Sequence, residues 1–138
     1  MKKAIDFQLP YIDSNETYQL SNDLGKVIVL TFWVSWCPDC GVDLPRKEQL
    51  FQSINHEKVQ MVTINVQGRE RNIEDGEIFA EKFLAQPTLV DNHRKVYDAY
   101  NCAGVPTTII INKDGYITHQ FGDKASLLTI VEAIGTLI

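Results

Sequence analysis

The chain has no long apolar run, no basic cluster and few cysteines, and each absence removes a class of function. No stretch reaches the length that crosses a bilayer, and Met1-Lys2-Lys3 leads straight into foldable sequence without the apolar segment of a signal peptide or anchor. A cytoplasmic location is expected from this. The alternative is extracytoplasmic work by a chain whose leader or anchor was removed. Eighteen Asp and Glu outnumber thirteen Lys and Arg, for a net charge of −5, so the electrostatic footprint of a nucleic-acid binder is missing. Three cysteines are too few for a disulfide-stapled scaffold. His56, His93 and His119 are scattered, and with Cys102 they offer no second ligand pair to complete a zinc site begun by Cys37 and Cys40. No metal and no cofactor are expected. No repeat, linker or low-complexity tract divides the 138 residues, which are read as one domain, 1–138, acting as a monomer.

What the chain does have is concentrated between Val27 and Phe51. Val27-Ile28-Val29-Leu30-Thr31-Phe32-Trp33-Val34 is apolar at all but one position and rich in β-branched and aromatic residues, the pattern of a strand buried on both faces. Pro38 suits the first position of a helix, where its missing N–H removes no bond, and Leu44, Lys47, Glu48, Leu50 and Phe51 continue a helical stretch. Cys37 therefore caps a helix, and the helix N-terminus favours its thiolate. Cys40 lies within the first turn, near enough to close a disulfide with Cys37 and less open to solvent. These positions make Cys37 the nucleophile and Cys40 the resolving thiol of thiol–disulfide exchange. Trp33 and Trp36 are expected to shield the pair and to offer an apolar contact to a substrate. Pro106 enters a strand from a tight turn, which makes its peptide bond a candidate for the cis form.

Phe32-Trp33, Trp36-Cys37-x-x-Cys40, Pro45 five residues beyond, and Gly104-Val105-Pro106-Thr107 together resemble the thioredoxin superfamily, and more narrowly its TlpA and ResA-like thiol–disulfide oxidoreductases. The resemblance runs from Phe7 to the last helix. It implies an α/β thioredoxin-like fold, a central mixed sheet flanked by helices, with an N-terminal hairpin and a central helix-strand insertion. It implies a protein-disulfide reductase working on disulfide-containing proteins and recharged by an upstream thiol donor. It further implies a cis Pro106 beside the cysteines and a Val105 main chain that pairs with an extended substrate. Thioredoxin proper has a buried aspartate six residues before the first cysteine, where this chain has Thr31. The TlpA-like branch has an acidic residue three positions after the second cysteine, more often Glu. Here that residue is Asp43, on the same helix face as Cys40, and it is the candidate base for the resolving thiol. Asp39, between the cysteines, opposes the helix by like charge. Cys37 is accordingly expected to be more acidic than free cysteine and less so than in strongly oxidising relatives, which favours reduction. Thiol peroxidases of the same fold carry proline and threonine seven and three positions before the reactive cysteine; Leu30 and Val34 stand there instead. The rival from another class is a binding or metal-carrying module of this fold without redox turnover.

The remaining elements follow from pattern. Ile5–Leu9 and Thr17–Leu20 read as a hairpin, and Pro45 as a kink in the helix that Cys37 starts. Val59–Val66 reads as a second buried strand, followed by a polar loop over 67–72. A helix is expected over Gly76–Ala85, a short strand over Thr88–Val90 and a helix over His93–Tyr100. A hairpin of Thr107–Ile111 and Tyr116–Phe121 turns at Asn112-Lys113-Asp114-Gly115, and a closing helix spans Lys124–Leu137. Cys102 is read as a small buried apolar side chain.

Overall fold

The computed structural model describes residues 2–138; Met1, part of the start from which the location was argued, lies outside them. Strand β1 (Lys2–Lys3) is followed by β2 (Gln8–Pro10) and β3 (Thr17–Gln19), then by a single 3₁₀ turn at Leu20–Asp23. Next come β4 (Val27–Trp33), helix α1 (Pro38–Ser53), β5 (Val59–Asn65), a second 3₁₀ turn at Gln67–Arg69, α2 (Ile73–Phe83) and β6 (Thr88–Val90). The chain closes with α3 (Lys95–Ala99), β7 (Thr107–Ile111), β8 (Tyr116–Phe121) and α4 (Leu127–Leu137).

Six strands form one mixed sheet in the order β1-β8-β7-β4-β5-β6, and β2 with β3 forms a separate hairpin. The sheet is parallel across β4, β5 and β6 and antiparallel across β1, β8, β7 and β4. All seven residues of β4 are buried, as its unbroken apolar run requires of a central strand covered on both faces. Ile28, Leu30 and Phe32 share a core with the hairpin residues Leu9 and Tyr18 and with Val96 and Tyr97 of α3. Val27 and Val29 point the opposite way, toward Ile130, Ala133 and Ile134 of α4 and the end of α1. The crossover after β4 puts the start of α1 at the carboxyl end of the central strand, where ligand and active sites of open α/β sheets gather.

Several expected boundaries move for local reasons. Helix α1 runs on through Pro45 to Ser53. Helix α2 begins at Ile73, three residues before the expected start, with Glu74 and Asp75 placed favourably in its first turn. Gly76 sits inside it because a Cβ there would stand 2.6 Å from the side-chain oxygen of Asn65. Helix α3 is only five residues long, since His93 takes a left-handed conformation (φ 55°) that no helix accommodates. Helix α4 starts later than Lys124 because Ser126 caps it, its hydroxyl accepting the Thr129 N–H at 3.2 Å. The β7–β8 turn falls where Asn112–Gly115 placed it, with Gly115 at φ 86°. Strand β1, unforeseen, pairs along β8 and covers that edge of the sheet.

Candidate active site

Cys37 is the N-cap of α1, with Pro38 at the first helical position. In the dithiol state its sulfur accepts the Cys40 N–H at 3.4 Å and its S–H faces the Val105 carbonyl at 3.6 Å. One free N–H of the helix end is thus aimed at the sulfur that needs it. Cys37 retains 9% exposure and Cys40 only 1%, so an incoming disulfide reaches the first sulfur and not the second. Burial pushes the Cys40 thiol well above the ordinary range; the Val34 main chain pulls the other way, and Cys37 and Asp43 push it further up. Cys40 needs help to lose its proton.

The Val105–Pro106 bond is cis and brings the Val105 carbonyl against Cys37. Beyond this turn opens a cavity of about 380 Å³, lined by Gly104, Val105, Pro106, Thr107, Phe121 and Asp123 among others. Trp36 lies on the other side, 38% exposed, its indole N–H donated to the Arg69 carbonyl at 2.9 Å and its ring covered by the Arg71 guanidinium at 4.6 Å. Trp33 does not join it. That indole is fully buried, donates to the Thr63 hydroxyl at 3.1 Å and packs on Phe79 at 5.1 Å, so it belongs to the core and offers a substrate nothing.

Asp43 lies one turn after Cys40, as its spacing requires, but it is not a simple solvated carboxylate. Its Oδ2 is 2.8 Å from the Nζ of Lys47, which has no exposed surface, while Asp43 keeps 17% of its side-chain exposure. Lys47 also donates to the hydroxyl of Thr108 on β7. Burial pulls the Lys47 ammonium below its usual range, and the charge of Asp43 and a hydrogen bond to it resist that. Thr31, where thioredoxin has its aspartate, is buried with a hydroxyl that has no partner.

Sequence reasoning missed two groups. Lys47 appeared only as one residue of a helical stretch. Glu70 lay in a loop read as merely polar, yet its carboxylate accepts the Ser35 N–H at 2.8 Å, the Ser35 hydroxyl at 2.6 Å and the Asn65 amide at 2.7 Å. It ties the 67–72 loop to the segment that carries Cys37. Cys102 packs against the core, half-buried, and burial pushes its thiol up to about 12. No helix among the described residues is long and apolar enough to cross a membrane.

The AhpC/TSA family model matches residues 1–120. The thiol-disulfide oxidoreductase ResA of Geobacillus kaustophilus is 33% identical over 115 residues, which cover 83% of this chain and 64% of that protein. The chain thus spans somewhat less than two thirds of that relative's length. Among solved structures, the protein named thiol:disulfide interchange protein DsbE of Chlorobium tepidum superposes with a TM-score of 0.82 at 26% identity, covering 97% of this chain and 96% of its own. The exposed lipoprotein thioredoxin of Streptococcus pneumoniae superposes at 0.80 with 26% identity, covering 96% of this chain and all of its own. From the family match and the close superposition on these structures, the chain belongs to the AhpC/TSA family and has its thioredoxin-like fold.

Proposed function

We propose that residues 1–138 act as one monomeric thiol–disulfide oxidoreductase module that reduces disulfides in proteins. The observation that carries this is the cysteine pair itself: an accessible sulfur on a helix N-cap, with a second, sealed sulfur one turn behind it. Cys37, as thiolate, attacks a substrate disulfide; a bond forms between its sulfur and one substrate sulfur, and the other leaves as thiolate. Cys40 then gives its proton to Asp43, through water if not directly, and attacks the Cys37 sulfur. The Cys37–Cys40 bond forms, the remaining substrate sulfur departs, and two electrons have passed to the substrate. An upstream thiol donor restores the dithiol. No cofactor takes part.

An extended substrate lies in the groove past Val105 and Pro106, pairs with the Val105 main chain and rests on the exposed face of Trp36. The relative named an exposed lipoprotein supports work outside the cytoplasm over the cytoplasmic location expected from the chain's first residues. Peroxide chemistry is disfavoured, because Val34 carries no hydroxyl where a peroxidase has its threonine and Leu30 replaces the proline.

Trapping tests the assignment. Cys40→Ser mixed with a disulfide-containing protein should accumulate a covalent complex through Cys37 that dithiothreitol releases. The parent should accumulate none, because Cys40 clears it. A Cys40→Ser protein that forms no adduct refutes the proposed order of attack.

A further inference from the structure

We propose that Lys47 is a positioning residue for the resolving step: from inside the core it fixes Asp43 as the carboxylate that receives the Cys40 proton. The inference deepens the reading above and rests on its assignment of Asp43.

The position is unusual on physical grounds. Cys40, Leu44 and Lys47 form the stripe of α1 that the fold buries. A lysine there gives up all its hydration, whereas an apolar side chain of similar length would fill the same space without a charge to desolvate. Packing supplies no reason for an ammonium at this position. Its partners do. Its Nζ lies 2.8 Å from Asp43 Oδ2 as an ion pair and donates a hydrogen bond to the Thr108 hydroxyl, which anchors the pair to β7.

The two oxygens of Asp43 differ as a result. Oδ2 is closed to solvent and lies against Lys47, so the remaining exposure of the carboxylate falls on its other side. One oxygen is held and the other is free to take a proton and pass it to water. The titratable groups around this cluster are Asp43, Cys40 and Cys37, all from the start of α1. The strand beneath contributes hydroxyls: Thr108, and Thr31 directly opposite it in register. Burial alone draws the proton off Lys47, and Asp43 is the first of the groups that keep it there. The carboxylate is thus the main group that offsets burial of the ammonium, and the two residues act as one unit.

The test uses the full chain in a Cys102→Ser background, reacted with 5,5′-dithiobis(2-nitrobenzoate). Cys37 displaces one coloured thiolate, and Cys40 displaces the second as the internal disulfide closes, so stopped flow separates attack from resolution. Lys47→Met should slow the second phase about tenfold at neutral pH, shift its pH profile upward by about one unit and leave the first phase unchanged. Asp43→Asn should slow the second phase too, and Asp43→Asn with Lys47→Met should be no slower than Asp43→Asn alone. That double variant is electrically neutral and carries the test if Lys47→Met does not fold. A Lys47→Met second phase within twofold of the parent at every pH, with Asp43→Asn slow, overturns the role of Lys47 alone. So does a double variant tenfold slower than Asp43→Asn. A parent-like Asp43→Asn instead removes Asp43 as the base, and a parent that releases only one coloured thiolate refutes the dithiol reading.

Discussion

Glu70 gives the most quantitative test of how the site is held. Its carboxylate receives three short hydrogen bonds, two from Ser35 and one from Asn65, and Asn65 is itself buried. A hydrogen bond to a charged group contributes roughly 1.5–3 kcal/mol net, which caps the three together at about 9 kcal/mol. Glu70 and Ser35 are only half-buried, so water replaces part of what is lost on truncation. Halving the mid-range gives about 3 kcal/mol for Glu70→Ala, or a fall in Tm of about 10 °C for a chain of this size. Glu70→Gln keeps an oxygen for the Ser35 and Asn65 N–H groups, and the Ser35 hydroxyl can turn to accept from the new amide. Its cost is the charge alone, about 1 kcal/mol. Urea denaturation of the reduced protein measures both, and the first phase of reaction with a disulfide reagent reports the consequence for Cys37, two residues beyond Ser35. Glu70→Ala should slow that phase and Glu70→Gln should not. Equal stability losses in the two variants, or an Ala variant within about 0.5 kcal/mol of the parent, would refute the clamp.

Two further expectations follow from buried groups. The Thr31 hydroxyl has no partner, so Thr31→Val, which keeps the shape, should raise stability by about 1 kcal/mol; a loss of that size would mean the hydroxyl is bonded. Alkaline stability should follow the thiols. An unfolded thiol titrates near 9.0, while Cys102 in the fold titrates at about 12 and Cys40 is also raised. Above pH 9 the native state thus keeps protons that the unfolded chain has shed, and the reduced protein loses stability as pH rises, by about 1.4 kcal/mol per unit for each such thiol. Lys47, lowered by burial, acts in the opposite sense toward 10.5 and offsets part of the loss. Cys102→Ala should flatten the decline by about 1.5 kcal/mol between pH 9 and 10.5. Parallel curves for variant and parent would contradict the burial of that thiol.

Much of the molecule was legible because a few residues encode it locally. The unbroken apolar run of β4, Pro38 after Cys37, and the Asn112–Gly115 turn each have one good conformational answer, and the structure adopts it. Lys2–Lys3 could not be seen as a strand, since two charged residues pair only because the edge of β8 is there to receive them. Trp33 and Trp36 look alike in sequence. Their fates separate because position 33 is the last of the strand, facing Phe79 and Thr63, while position 36 stands on the loop after it. Lys47 did carry a signal: it falls at the seventh place after Cys40 on the buried stripe and the fourth after Asp43, where a lysine has an acidic partner within reach. Glu70 carried none, because its three donors come from two segments that only the tertiary fold brings together.

The redox equilibrium of the cysteines tests the central claim most directly. The protein would be equilibrated in buffers of defined thiol–disulfide potential, quenched and mapped by mass spectrometry. The account predicts a single two-electron couple, a bond between Cys37 and Cys40 with Cys102 free throughout, at a potential more negative than about −200 mV, on the reducing side of the known range. A Cys37–Cys40 bond that never forms, or a couple near the strongly oxidising end at about −120 mV, would contradict it.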